Sequence, residues 1–187
     1  PRELIYEMRY GKPIYYRNYD KVLSGEKSLE EVMGSSKLQS LLISLLLKAL
    51  FSSLDEREYV VLPSEIGFKF APRSWRNLDI AIFEKKDLMK EGLKAEYVKV
   101  APLAVIEIDT KADLRRYSSL EDYVYQKVED LLSSGVKKVV WIFTGTRKIL
   151  VAEKNRDWIV HSWEKDFEIL GVKINVKNLL ENFLGGN

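Results

Sequence analysis

The sequence predicts a mixed α/β domain: a β-sheet core flanked by helices, preceded by an N-terminal extension and ending in a β-meander. Three observations lead there. Leu103–Ile108, apart from Glu107, and Val139–Phe143 are apolar on both faces, as expected of strands covered on both sides. A capped amphipathic segment lies between them, so the three form a βαβ unit with parallel strands and a right-handed crossover. Lys37–Leu54 reads as a helix apolar around most of its circumference, with a narrow polar seam at Lys37, Ser40, Ser44 and Lys48, which places it against a sheet.

The elements follow in order. Residues 1–34 are aromatic and charged, with a turn at Gly11-Lys12-Pro13 and a short helix near Leu29–Met33, and pack on the body as an extension. Ser35 or Ser36 N-caps the buried helix. Strand-like runs Tyr59–Leu62, Glu65–Phe70 and Leu78–Phe83 are separated by Pro63-Ser64 and by a turn over Ala71–Asn77. A charged stretch, Glu84–Lys99, leads to the central strand. Ser118-Ser119-Leu120-Glu121 opens a second helix as a capping box, and Gly135 stops it. Ile149–Glu153 and Trp158–Trp163 extend Val139–Phe143 into an antiparallel meander, and an amphipathic helix covers Val176–Leu184. The expectation is a single domain over 1–187: extension 1–34, core 35–143, meander and helix 144–187.

Composition narrows the chemistry. The chain has 187 residues, of which 31% are charged, yet the charges nearly cancel at +2, so a nucleic-acid partner has to be held by a local patch. The absence of cysteine excludes a thiol nucleophile, disulfides, thiolate zinc and iron–sulfur clusters. The single histidine, His161, excludes two-histidine zinc sites. Carboxylates, lysines, tyrosines and a hard cation remain. Neither Gly-x-Gly-x-x-Gly nor a P-loop occurs. No basic-then-apolar leader is seen, and the most apolar stretch, Leu38–Leu50, is interrupted by Ser40, Ser44 and Lys48. The expectation is a cytoplasmic protein with no membrane partner.

Three charged residues conflict with their surroundings. Asp79 lies inside Leu78–Phe83 on the side of Ala81 and Phe83, since alternate residues face one way. Glu107 lies in the most apolar strand, on the face of Leu103 and Val105. A carboxylate buried alone costs several kcal/mol, so each needs a cation, a metal or a raised pKa. Lys127 is the third. On a helical wheel of about 100° per residue, with Leu120 at zero, Lys127 falls near about −20°, inside the stripe formed by Val124, Leu131 and Tyr123. The plainer readings are a strand-end turn for Asp79, a lysine that snorkels to water, or a structural ion-pair network without catalysis. Asp109 and Lys111 follow Glu107 on the same strand face, near the carboxyl end where sites of α/β sheets form.

At these residues the sequence resembles the PD-(D/E)XK, or restriction-endonuclease-like, superfamily, and within it the Uma-two family of endonuclease-like proteins. The likeness runs from Tyr6-Glu7-Met8-Arg9-Tyr10-Gly11-Lys12-Pro13-Ile14 through the buried helix after Gly34-Ser35-Ser36. It continues through Asn77-Leu78-Asp79-Ile80-Ala81 and Val105-Ile106-Glu107-Ile108 to Lys127, which precedes Gly135-Val136 and Val140-Trp141-Ile142. In that family the catalytic lysine is often displaced from the strand to the following helix, ahead of a Gly-Val and a tryptophan-bearing strand. Three positions depart from the pattern. Leu78 stands where a proline is usual, Asp109 occupies the strand-lysine position, and the usual histidine near the start of the buried helix is absent, with Lys37 and Gln39 nearby.

The resemblance implies a restriction-endonuclease-like mixed sheet and a DNA endonuclease. Asp79, Glu107 and the Ile108 carbonyl would hold Mg²⁺ or Mn²⁺. Lys127 would orient or deprotonate the attacking water or stabilise the pentavalent phosphate, with Lys111 as the alternative lysine. Asp109 would serve a second ion or act as the acid beside Lys111. The products would be 5′-phosphate and 3′-hydroxyl ends. Lys69, Arg73, Arg76, Lys111, Arg115 and Arg116 flank the acid-bearing strands as candidate phosphate contacts, and Trp75 as a stacking platform. A homodimer would supply two sites for two strands. Two other classes compete: a catalytically silent nucleic-acid-binding or scaffold protein of the same fold, and a carboxylate-pair enzyme of glycosidase type. His161, in the terminal meander, reads as structural.

Overall fold

The computed structural model describes residues 1–185. It opens with a hairpin, β1 (Ile5–Arg9) and β2 (Lys12–Tyr15), turning at Tyr10-Gly11, both with left-handed backbones. Two short helices follow, α1 (Tyr19–Leu23) and α2 (Leu29–Met33), the latter closed by a Ser28/Glu31 capping box. The long helix α3 (Lys37–Ser53) is capped by the Ser36 hydroxyl, which accepts from the Gln39 N–H at 3.1 Å. Next come β3 (Tyr59–Ala71), β4 (Ser74–Glu84), the short α4 (Lys85–Met89) and β5 (Ala104–Ile108). Helix α5 (Leu120–Ser133) returns the chain to β6 (Lys138–Phe143), which runs parallel to β5. Strands β7 (Lys148–Glu153) and β8 (Ile159–Ser162) add an antiparallel meander. A separate small hairpin, β9 (Phe167–Ile169) and β10 (Val172–Ile174), precedes α6 (Val176–Gly185). Among the described residues no helix is long and apolar enough to cross a membrane.

The sheet is mixed, with helices on both faces. Leu42, Leu46 and Leu50 of α3 pack with Ile80, Ile82, Ile106, Val140 and Ile142 on one face. Tyr123, Val124, Val128 and Leu131 of α5 pack with Ala81, Phe83, Val105, Val139 and Trp141 on the other. This division follows from the double-sided apolarity of β5 and β6, which leaves no strand face for water.

Local differences from the sequence reading have clear causes. Tyr59–Phe70 forms one strand, because left-handed backbones at Ser64 and Glu65 absorb a bulge and let pairing resume at Ile66. The turn expected over Ala71–Asn77 shrinks to Pro72-Arg73, since Ser74, Arg76 and Asn77 are buried and pair as strand. The cap of α5 is Ser119, whose hydroxyl accepts from the Asp122 N–H at 3.2 Å. The N-terminal hairpin is part of the main sheet, in the order β2-β1-β4-β5-β6-β7-β8 with β3 also on β4.

That topology contains a fork. Trp75 of β4 pairs with both Lys69 of β3 and Met8 of β1, while Ile80 pairs with both Pro63 of β3 and Ile106 of β5. Strand β3 therefore holds one edge of β4, and β1 and β5 share the other. Residues 76–79 of β4 lie in the gap between them, where β5 ends at Ile108 and β1 begins at Ile5.

Candidate active site

In the gap of the fork, side chains replace the missing ladder. The Asp79 N–H donates to Glu107 Oε2 at 2.8 Å, and the Ile108 N–H donates to Asp79 Oδ2 at 2.9 Å. The Asn77 N–H donates to Glu7 Oε2 at 3.1 Å, and the Asn77 carbonyl accepts from Lys127 Nζ at 2.7 Å. Backbone polar groups buried without partners are costly, so these bonds fix the carboxylates as firmly as strand pairing would.

Lys127 reaches this point from α5, and its side chain is sealed from solvent. Its ammonium pairs with Glu107 Oε1 and, at 2.8 Å, with Glu7 Oε2. It also donates to the Asn77 carbonyl, so one ammonium serves two carboxylates and a carbonyl. Burial pulls the ammonium's pKa down, but Glu107 and Glu7 outweigh burial and raise it above the ordinary lysine value. Its two carboxylate partners thus favour the charged form of Lys127.

Glu7 is the residue that reasoning from the sequence missed. It is fully buried and accepts from Arg76 Nη1 at 2.9 Å and from the Tyr123 hydroxyl at 2.5 Å, besides Lys127. Burial pushes its pKa up, yet Lys127 and Arg76 carry it below the usual carboxylate value. Arg76 also donates to Asp130 Oδ2 at 2.7 Å, and Arg9 joins Asp130 at 2.9 Å. Alternation turns Glu7 away from the face of Tyr6 and Met8 and so gives no sign of its burial, whereas the same helical wheel puts Asp130 at about −80°, beside Tyr123.

Asp79 and Glu107 behave differently from Glu7. Burial raises the pKa of both, well above the usual value for Glu107, and their mutual proximity adds to the effect on Glu107. Four carboxylates (Glu7, Asp79, Glu107 and Asp130) share the cations Lys127, Arg76 and the half-exposed Arg9. The Asp79–Glu107 pair is left short of positive charge. Gln39, from the first turn of α3, partly meets the shortage: its Nε2 donates to Asp79 Oδ1 at 3.4 Å and to the Ile108 carbonyl at 3.2 Å. Two carboxylates and a carbonyl are hard oxygen atoms of the kind divalent cations take as ligands, and here the Gln39 amide bridges two of them. Among the described residues no group of three or more Asp, Glu or His is arranged to hold a metal.

The structure thus brings together Asp79, Glu107, Lys127 and the Ile108 carbonyl, with Lys111 at their border on Glu65 and the remaining candidates elsewhere. Asp109 does not keep the face of Glu107, because its φ of 51° ends the strand. Its carboxylate accepts from the Thr144 N–H at 2.9 Å and the Thr144 hydroxyl at 2.5 Å. Lys111 pairs with Glu65 beyond that turn. Arg76 is fully buried between Glu7 and Asp130, so it is not a phosphate contact. Lys69, Arg73, Arg115 and Arg116 are exposed, Arg115 being paired with Asp113 and Asp20. Trp75 packs edge-on against Tyr97 at 5.2 Å between ring centres. His161 lies on β8, at the far edge of the sheet.

The fold has a counterpart. A protein from Anabaena variabilis ATCC 29413, described as "a putative nuclease belonging to DUF820", superimposes with a TM-score of 0.63 over 79% of this chain and 82% of its own, at 17% sequence identity. The likeness establishes a shared mixed α/β fold, found in a protein described as a nuclease. No family model matches the sequence, and no curated protein matches it.

Proposed function

We propose that this chain is a cation-dependent endonuclease acting on DNA, of the PD-(D/E)XK type, with its site in the fork of the sheet. The observation that carries the reading is the convergence of Asp79 and Glu107 with the sealed ammonium of Lys127. The nuclease-like fold of the Anabaena protein points the same way. Asp79, Glu107 and the Ile108 carbonyl would hold Mg²⁺ or Mn²⁺, which when bound lowers the pKa of water and offsets charge on a phosphodiester.

The chain's own residues supply the remainder. Lys127, held charged by Glu7 and Glu107, presents a fixed positive field to the pentavalent phosphate, an arrangement that needs no reorganisation during reaction. Glu7, anchored by Arg76, Tyr123 and the Asn77 N–H, keeps that ammonium against Glu107. Gln39 spans Asp79 and Ile108 and gives way when a cation enters.

One observation favours the silent binding protein as second reading. The Lys127 ammonium is already held by Glu7, Glu107 and the Asn77 carbonyl, and Gln39 bridges Asp79 and the Ile108 carbonyl. Nicking of supercoiled plasmid separates the two. With Mg²⁺ the wild type is expected to nick, while Asp79→Asn and Glu107→Gln, which keep shape but remove charge, lower the rate by at least about a thousandfold (roughly 4 kcal/mol of barrier). Plasmid bound but left intact by the wild type supports the silent reading.

A further inference from the structure

Strand β3 carries one residue too many where it passes Asp79. Pro63 pairs with Ile80 and Ile66 with Leu78, so Ser64 and Glu65 together oppose the single residue Asp79. Both have left-handed backbones, at φ 72° and 57°, and neither is glycine. Such a conformation is sterically penalised for a residue with a Cβ, and two in succession persist only where the surroundings impose them. A bulge re-aims side chains. Here the side chain is Glu65, whose carboxylate accepts from the Tyr16 hydroxyl at 3.3 Å and pairs with Lys111.

This pair differs from the charges at the centre of the site. Asp79, Glu107, Lys127 and Glu7 are sealed, whereas the side chains of Lys111 and Glu65 keep 12% and 23% exposure. Glu65 sits in the bulge opposite Asp79, and Lys111 follows the end of β5 at Ile108 by three residues, so the pair borders the site on its solvent side.

We infer that Glu65 is a positioning residue that holds Lys111 at the mouth of the site, ready to pass its ammonium to a phosphate oxygen of an arriving phosphodiester. The inference rests on the nuclease reading and adds the contact that receives the substrate. A phosphate competes with Glu65 for the same cation, and the Tyr16 hydroxyl stays behind to satisfy the carboxylate. Lysine suits such a transfer, being a compact charge on a flexible stem. Glu65 thus opposes binding while it keeps the lysine in place.

The test is the affinity of a fluorescein-labelled DNA duplex measured by anisotropy in EDTA, where no cutting interferes, over a range of KCl concentrations. Lys111→Gln is expected to weaken binding about five- to tenfold and to lower the salt slope by about one, with Lys111→Arg retaining both. Glu65→Gln, nearly isosteric, is expected to tighten binding about three- to tenfold by freeing the lysine. The double variant should match Lys111→Gln alone. Glu65→Gln affinity equal to or below wild type, or an unchanged salt slope in Lys111→Gln, overturns the inference and leaves the nuclease reading standing. Absence of DNA binding by the wild type overturns both.

Discussion

Replacing Lys127 with methionine is expected to lower the stability of this protein by about 3–5 kcal/mol at pH 7, because breaking a buried ion pair from one side leaves uncompensated charge. The side chain of Lys127 is buried, and its ammonium is the direct partner of both Glu7 and Glu107. Methionine fills the volume but offers no charge, so packing loss contributes little and the electrostatic term dominates. For a chain of this size the loss corresponds to a fall in Tm of about 6–20 °C. The sign with pH follows from Glu107. Its pKa in the folded state is raised by burial even beside Lys127 and rises further without it. A raised folded pKa costs folding free energy that builds up from the ordinary carboxylate pKa and is full above the folded one, so the deficit of the variant shrinks as pH falls and Glu107 takes up a proton. Thermal unfolding of wild type and Lys127→Met between pH 5 and 8 measures both effects. A deficit under 1 kcal/mol at pH 7, or one that grows on acidification, contradicts the assigned network. Plasmid nicking should be lost in the same variant.

Arg76→Met should be of similar size, about 3–5 kcal/mol, for a related reason. The guanidinium has no solvent exposure, bridges Glu7 at 2.9 Å and Asp130 at 2.7 Å, and lies over the rings of Phe70 and Tyr123. Arg76→Lys is not a conservative change here. A lysine presents one point charge where the planar fork serves two carboxylates in different directions. It should recover less than half of the loss. Because Glu7 links Arg76 to Lys127, Glu7→Gln and Arg76→Met should be non-additive, with a coupling of about 1–3 kcal/mol. Denaturant unfolding of the two single variants and the double variant gives that coupling. Additivity within about 0.5 kcal/mol would place Glu7 and Arg76 in separate environments, against the structure.

Much of the architecture is written in local pattern. The doubly apolar runs of β5 and β6, the cap of α5 and the nearly all-apolar α3 each declare themselves over short stretches, and the βαβ rule joins them. Lys127 is visible for the same reason, since helical periodicity is local enough to place its side chain on the sheet. Glu7 is not. Its importance depends on β1 attaching to β4 on the edge that β5 also uses, a pairing between residues about seventy positions apart that no periodicity encodes. The departure of Asp109 from the face of Glu107 has a different origin. Alternation holds only while the strand continues, and a left-handed residue at 109 ends it one position after Ile108. Glu65 was hidden by its bulge, which reads in the sequence as a break between two strands. The basic residue Arg76 looked like a surface phosphate contact because no local pattern brings Glu7 and Asp130 to either side of it.

The central claim is that Asp79, Glu107 and the Ile108 carbonyl form one hard-cation site beside a fixed ammonium. Titration calorimetry with Mn²⁺ on the folded chain tests it most directly. The account predicts saturable binding of one ion per chain, abolished in Asp79→Asn and in Glu107→Gln while both variants keep the wild-type circular dichroism spectrum. Wild type that takes up no Mn²⁺, or uptake undiminished when either carboxylate is neutralised, would contradict it.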